Sequence, residues 1–175
     1  MKYVALLRGI NVGGATMMKM TDLKAEFERL GFENVRTYIN SGNIAFDAKK
    51  AAESKLINKI EPAIEKRFGR AVPVMVREQN DIERILKGNP FDGQYDSHKE
   101  MHVLFLKEEM PKDKEAELLS KQTENERFAV IGREIYCHLK QGVADGLLGK
   151  GYIKKKLKVA VTGRIWRSVQ KLAEM

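Results

Sequence analysis

Two pairs of apolar runs, each broken by a glycine turn, constrain this chain more than any other feature. In the first, Val35-Arg36-Thr37-Tyr38-Ile39 and Ile44-Ala45-Phe46 flank Asn40-Ser41-Gly42-Asn43. Asn and Gly tolerate the positive φ that tight hairpins need, so Val35–Phe46 reads as a β-hairpin. In the second, Phe128–Ile131 and Glu134–Leu139 flank Gly132-Arg133, and the same reading holds. A short apolar run and a helical pattern precede each hairpin. Tyr3–Ile10 and Met101–Leu106 read as buried strands. Leu23, Phe27 and Leu30 fall on one helical face, with Thr21 as the expected N-cap and Gly31 as the stop. Lys112–Ser120 reads as the matching helix.

After the first hairpin, Leu56, Ile60, Ile64 and Phe68 mark a helix over Ala51–Phe68, where Pro62 predicts a kink or a late start. Gly69 ends it, and Val72–Arg77 reads as a strand. A short helix follows, with Asn80 and Glu83 spaced as a capping box. The first half is therefore β-α-β-β-α-β, the ferredoxin-like order. The stretch Asn89–Lys99, rich in Gly, Pro, Asn and Asp, reads as a linker. Beyond the second hairpin, Tyr152–Val159 and Ile165–Met175 read as helical, so the second half repeats the first without its last strand. The expected fold is α+β, two ferredoxin-like (βαββαβ-type) halves, 1–88 and 89–175, packed as one body.

Composition narrows function mainly by exclusion. The 175 residues are 43% hydrophobic and 32% charged, a globular balance. No apolar stretch nears the ~18 residues of a membrane span, and no leader signature opens the chain. A lone Cys137 fits a reducing cytoplasm. Its alternation with Ile135 and Leu139 reads as a buried, inert thiol. His98 and His102 lack the spacing of a zinc pair, and neither a metal nor a cofactor is expected. Of the net charge of +8, most lies in the last 25 residues, where Lys154, Lys155, Lys156, Lys158, Arg164, Arg167 and Lys171 face Glu174 alone. Such a segment reads as a solvated face or as a contact for phosphates.

The loop Gly9-Ile10-Asn11-Val12-Gly13-Gly14 between strand and helix is the sharpest local feature. Glycines let backbone N–H groups approach an anion, and a helix N-terminus adds partial positive charge. Gly9, Gly14 and Thr16 match part of a P-loop, but Ala15 stands where the phosphate-binding lysine belongs, and Lys19 comes too late. A Walker-type nucleoside triphosphatase is thereby excluded. An anion-binding loop built from Arg8, Asn11, the Gly13 and Gly14 amides and Lys19 remains, beside the plainer reading of a tight turn. The RNA-recognition-motif reading fails, because Ser41–Phe46 lacks the basic residue and the exposed aromatic pair.

Several motifs carry a family resemblance. Leu6-Leu7-Arg8-Gly9-Ile10-Asn11-Val12-Gly13-Gly14, Lys19-Met20, Thr37-Tyr38-Ile39-Asn40-Ser41-Gly42-Asn43 and Asn89-Pro90-Phe91 resemble the bacterial family called domain of unknown function 1697. Val161-Thr162-Gly163-Arg164-Ile165-Trp166 is similar to that family's closing T-x-R-N-W element, with Ile165 where the family usually has Asn. The resemblance implies ferredoxin-like halves and no particular activity. It also implies a polar cluster of Arg8, Asn11, Ser41, Asn43, Thr162 and Arg164, with Trp166 as its neighbour or as a hydrophobic anchor. The expected ligand residues are accordingly Arg8, Gly9, Asn11, Gly13, Gly14, Lys19, Ser41, Asn43, Thr162, Arg164 and Trp166. The expected partner is a phosphorylated small molecule or a nucleic-acid backbone. A small-molecule enzyme acting on an anionic substrate, and a structural or interaction protein, are the alternatives.

Overall fold

The computed structural model describes residues 1–14, 17–143 and 146–175. In chain order these form β1 (Lys2–Leu7), α1 (Met20–Arg29), β2 (Glu33–Tyr38), β3 (Asn43–Asp47), α2 (Glu53–Phe68), β4 (Val74–Glu78), α3 (Gln79–Lys87), β5 (Met101–Leu106), α4 (Lys112–Ser120), β6 (Glu126–Ile131), β7 (Glu134–Leu139), β8 (Val161–Ile165) and α5 (Trp166–Ala173). The chain is a mixed α/β protein with two four-stranded antiparallel sheets, ordered β2-β3-β1-β4 and β6-β7-β5-β8. It divides into two compact units, residues 1–84 with 172–175, and residues 85–171.

In the first unit the strand period of two sets one sheet face against the helices. Tyr3, Ala5 and Leu7 of β1 join Ile44 and Phe46 of β3 and Val74 and Val76 of β4. Leu23 and Phe27 of α1 and Leu56, Ile60 and Ile64 of α2 close over them. Phe32 and Phe46 pack with ring centroids 4.5 Å apart, and Phe27 meets Phe46 edge-on at 5.5 Å. The Tyr3 hydroxyl donates to Ala51 O and accepts from Ala51 N, both at 3.1 Å, so a buried ring keeps its polar end satisfied. Val4, Leu6, Met75 and Arg77, on the other sheet face, are buried too. The Gln79 amide donates to Leu172 O at 2.9 Å and Ala173 O at 3.0 Å, which caps the end of α5 within this unit.

The second unit repeats this plan in register. Leu104 and Leu106 of β5, Phe128 of β6, and Ile135, Cys137 and Leu139 of β7 pack with Leu118 of α4. Val4 pairs with Arg77 across β1 and β4, and Val103 pairs with Arg164 across β5 and β8. Each valine is the third residue of its strand and each arginine the fourth. Both arginines are buried. The two hairpins hold matching places, β2-β3 and β6-β7.

Five local expectations give way. Val161–Ile165 is a strand, so the second half has the last strand it was expected to lack, and α5 starts at Trp166 rather than Ile165. The buried face of β8 carries Thr162 and Arg164, so no apolar alternation announces it. Tyr152–Val159 forms only a five-residue π-helical turn, Ile153–Leu157. Thr21 lies inside α1, whose N-cap position is Lys19. Asn80 lies inside α3, because β4 runs into that helix with no intervening residue. Pro62 does not delay α2, which starts at Glu53.

Gly42 shows how tightly the first hairpin turn sits. It holds φ +84°, and a Cβ there would lie 2.7 Å from Leu7 Cβ and 2.9 Å from Ile10 Cδ1. Gly69, at φ +74°, faces open space. Gly42→Ala is expected to cost about 2–4 kcal/mol, from overpacking plus left-handed strain, and Gly69→Ala only about 1–2 kcal/mol. Urea denaturation of both variants checks this, and equal losses would contradict the close approach.

Candidate functional site

The loop after β1 is fixed at its start by the backbone. Leu7 N donates to Gly42 O at 2.9 Å and Arg8 N to Pro73 O at 3.0 Å. Asn11 then adopts φ +54°, a conformation Asn tolerates better than most residues. Its Nδ2 donates to Met18 O at 2.9 Å and to Asn40 O at 2.8 Å. Its Oδ1 accepts from Met18 N at 2.7 Å. One amide therefore closes the glycine loop onto both the start of α1 and the hairpin turn. This bond to Met18, and not a Thr21 cap, sets where the chain enters the helix.

Gly9, Gly13 and Gly14 hold φ of +65°, +59° and +76°, and a Cβ at any of them would meet nothing within 4 Å. Their glycines answer to backbone conformation rather than to crowding, and all three are exposed. Thr16 of the partial P-loop pattern lies outside the described residues. Asn43 is fully buried, and its Nδ2 donates to Tyr38 O at 3.0 Å and to Ser41 Oγ at 2.9 Å. Asn43 and Ser41 thus brace the turn from within. Ile39 stands beside them at φ +48°, a costly conformation for a β-branched side chain, and is half exposed.

Between loop and turn lies a cavity of about 520 Å³, lined by Asn11, Met17, Met18, Lys19, Met20, Thr21 and Asn40. The α1 N-terminus opens into it with no side-chain cap. Asp22, the acid of the first helical turn, lies 4.0 Å from Arg67. Met17, which lines the cavity, is 71% exposed and leaves apolar surface there. The three methionines, Thr21 and Asn40 were not among the residues expected to form a site. Met17-Met18-Lys19-Met20 is the signal that points to them, because three thioethers in four residues at a helix start cannot all face the core.

Thr162, Arg164 and Trp166 belong to the second unit. Thr162 and Arg164 point to the buried face of β8, and Trp166 is buried at the start of α5. The Arg164 Nη1 donates to Thr162 Oγ1 and to Gly163 O, both at 2.8 Å. Burial pulls this guanidinium down to about 10, still charged at neutral pH. Ile165 is half-buried in the same strand. Cys137 is fully buried, with Sγ 3.7 Å from Ile135 O, and burial pushes its thiol far up, with Glu126 adding to the effect. Among the described residues no group of three His, Cys, Asp or Glu side chains could hold a metal.

Residues 1–136 match the family described as "Protein of unknown function (DUF1697)". The chain belongs to the DUF1697 family. The match takes in the glycine loop, Lys19, the Asn40–Asn43 turn and Asn89-Pro90-Phe91, and it ends before β8. No curated protein matches the DUF1697 chain. Among solved structures it is similar to conserved bacterial protein SP0830 from Streptococcus pneumoniae, with a TM-score of 0.80 and 24% identity over 99% of this chain and 97% of that one. That likeness speaks for the fold alone.

Asn11 offers the most direct check on the loop's construction. Asn11→Ala removes three hydrogen bonds and leaves Met18 N and two carbonyls to find water, a loss of roughly 1–3 kcal/mol. Amide hydrogen exchange in the DUF1697 protein should rise first at Met18. Unchanged exchange at Met18 would refute the geometry.

Proposed function

We propose that the first unit binds a small phosphorylated ligand in the cavity beside the glycine loop. The observation that carries this reading is the opening of an uncapped α1 N-terminus, with Lys19 beside it, into a cavity that Asn11 of the glycine loop also lines. Such termini favour anions. Lys19 lines the cavity and Arg8 stands at the start of the loop, so both supply positive charge. Gly9, Gly13 and Gly14 expose backbone N–H groups. Asn11, Ser41 and Asn43 keep the walls in place. Met17, Met18 and Met20 offer thioether surface to the apolar part of the same ligand.

The magnitudes are consistent with modest affinity. A helix terminus contributes about 0.3–1 kcal/mol and each burying methylene about 0.8 kcal/mol. Together with two cations they support a Kd of order 100 μM. Among the described lining residues no side chain is a carboxylate, imidazole or thiol, so binding suits them better than proton transfer. Thr162, Arg164 and Trp166, buried in the second unit, are read here as structural. We also read residues 1–88 and 89–175 as two ferredoxin-like halves of a cytoplasmic protein, supported by their shared strand order and register.

Thermal denaturation with AMP and with inorganic phosphate tests the function. At 100 times the Kd a ligand stabilises by about 2.7 kcal/mol, which raises Tm by roughly 5–10 °C at this chain length. AMP at 10 mM should give such a shift and phosphate a smaller one. Arg8→Gln with Lys19→Gln should remove both shifts, and Arg164→Met should lower Tm while keeping them. No shift with either anion, or a shift untouched by the double change, would overturn the proposal.

A further inference from the structure

The π-helical turn of the second unit carries the densest run of positive charge in the sequence. From Gly149 to Lys158 the chain holds Lys150, Lys154, Lys155, Lys156 and Lys158 and no acid. All five are exposed. None makes an ion pair among the described residues. The nearby Glu117 carboxylate accepts from the Tyr152 hydroxyl at 2.9 Å. Like charges so placed repel one another, and a solvated loop could spread them apart. This segment cannot, because it is held at both ends.

Ile153 and Leu157, which bound the turn, are buried in the core of the second unit. The Lys114 ammonium donates to Leu157 O, and Lys155 N donates to Gly151 O at 2.9 Å. The Lys155 stem runs across Gly151, where a Cβ would stand 3.5 Å from its Cε. A π-turn is wider than an α-turn, so three consecutive lysines spread over roughly half its circumference. Lys158 follows at φ +54°. The result is an exposed cationic turn anchored at both ends, a knuckle on the surface of the second unit.

We propose that this knuckle is a contact surface for the phosphate backbone of double-stranded nucleic acid. A turn that spreads exposed lysines over roughly half its circumference suits a groove with phosphates on both walls. Single strands are usually held by stacking on aromatic side chains. In this unit Phe91, Phe105, Phe128, Tyr136 and Trp166 are buried, and Tyr95 and Tyr152 half-buried. A lipid surface would call for apolar anchors beside the charge. Here the turn's own apolar residues, Ile153 and Leu157, face inward.

The surface is independent of the first unit's cavity, and the experiment keeps the two apart. Fluorescence anisotropy is followed against salt with a 20-base-pair DNA duplex, the matching single strand, and phosphatidylserine vesicles. The wild type should bind the duplex at low salt, more tightly than the single strand or the vesicles, whatever its sequence. Each phosphate neutralised adds about −0.9 to the slope of log K against log salt. Changing Lys154, Lys155, Lys156 and Lys158 together to Gln should flatten that slope by about 3–4 and weaken binding at least tenfold. Lys49→Gln with Lys50→Gln, in the first unit, should do neither. The quadruple variant should keep its Tm and its AMP shift, since exposed side chains alone are changed. No duplex binding at 20 mM salt, an unchanged slope in the quadruple variant, or a preference for single strands or vesicles would overturn the proposal.

Discussion

The side-chain amide of Asn11 is the constraint on which the loop-and-turn face of the first unit depends. Three hydrogen bonds from one residue join a loop, a helix entrance and a hairpin turn that lie far apart in sequence. Each segment alone would be poorly ordered, since glycine-rich backbone loses more freedom on folding than other sequence does. Joined, they share the entropy cost of a single closure. The close seat of Gly42 against Leu7 and Ile10 adds a steric stop from below. The cavity therefore owes its shape to backbone contacts and one amide.

That division explains what could be read in advance. Apolar periodicity located β1, α1, both hairpins, α2, β4, β5 and α4, because in each of them the buried face is hydrophobic. It failed at β8, where Thr162 and Arg164 occupy the buried positions and mutual hydrogen bonds make that tolerable. It also failed at helix starts. Thr21 and Asn80 are good capping residues by chemistry, yet the chain enters each helix earlier than they stand. In α1 the reason is Asn11, a contact across seven residues. In α3 it is a strand that leads straight into the helix. The glycine loop was legible as a turn because glycine and asparagine at a strand end supply the positive φ it needs. Its methionine wall was not, because a thioether suits core and surface equally well.

The buried arginines show the same logic at the level of the whole chain. Arg77 and Arg164 hold the same register position in two sheets of the same strand order. Burying a guanidinium is costly without partners. Arg164 meets that cost by bonding to Thr162 and Gly163 of its own strand, and Arg77 bonds to Val76 O at 2.9 Å. A cost paid twice at one position points to a shared origin of the two sheets more strongly than hydrophobic similarity does, since apolar residues exchange freely and buried cations do not.

One joint in the fold limits how such a chain can change length. In β4–α3 and in β8–α5 the last strand residue is followed at once by the first helical residue. A strand inverts its faces with every added residue, and a helix turns by about 100°. A single insertion or deletion at Glu78–Gln79 or Ile165–Trp166 would thus either turn the buried arginine outward or swing the apolar face of the following helix away. No loop is present there to absorb the error. Length variation among relatives should collect instead in the glycine loop, in residues 89–100 and in residues 140–152, while these two junctions keep the same residue count.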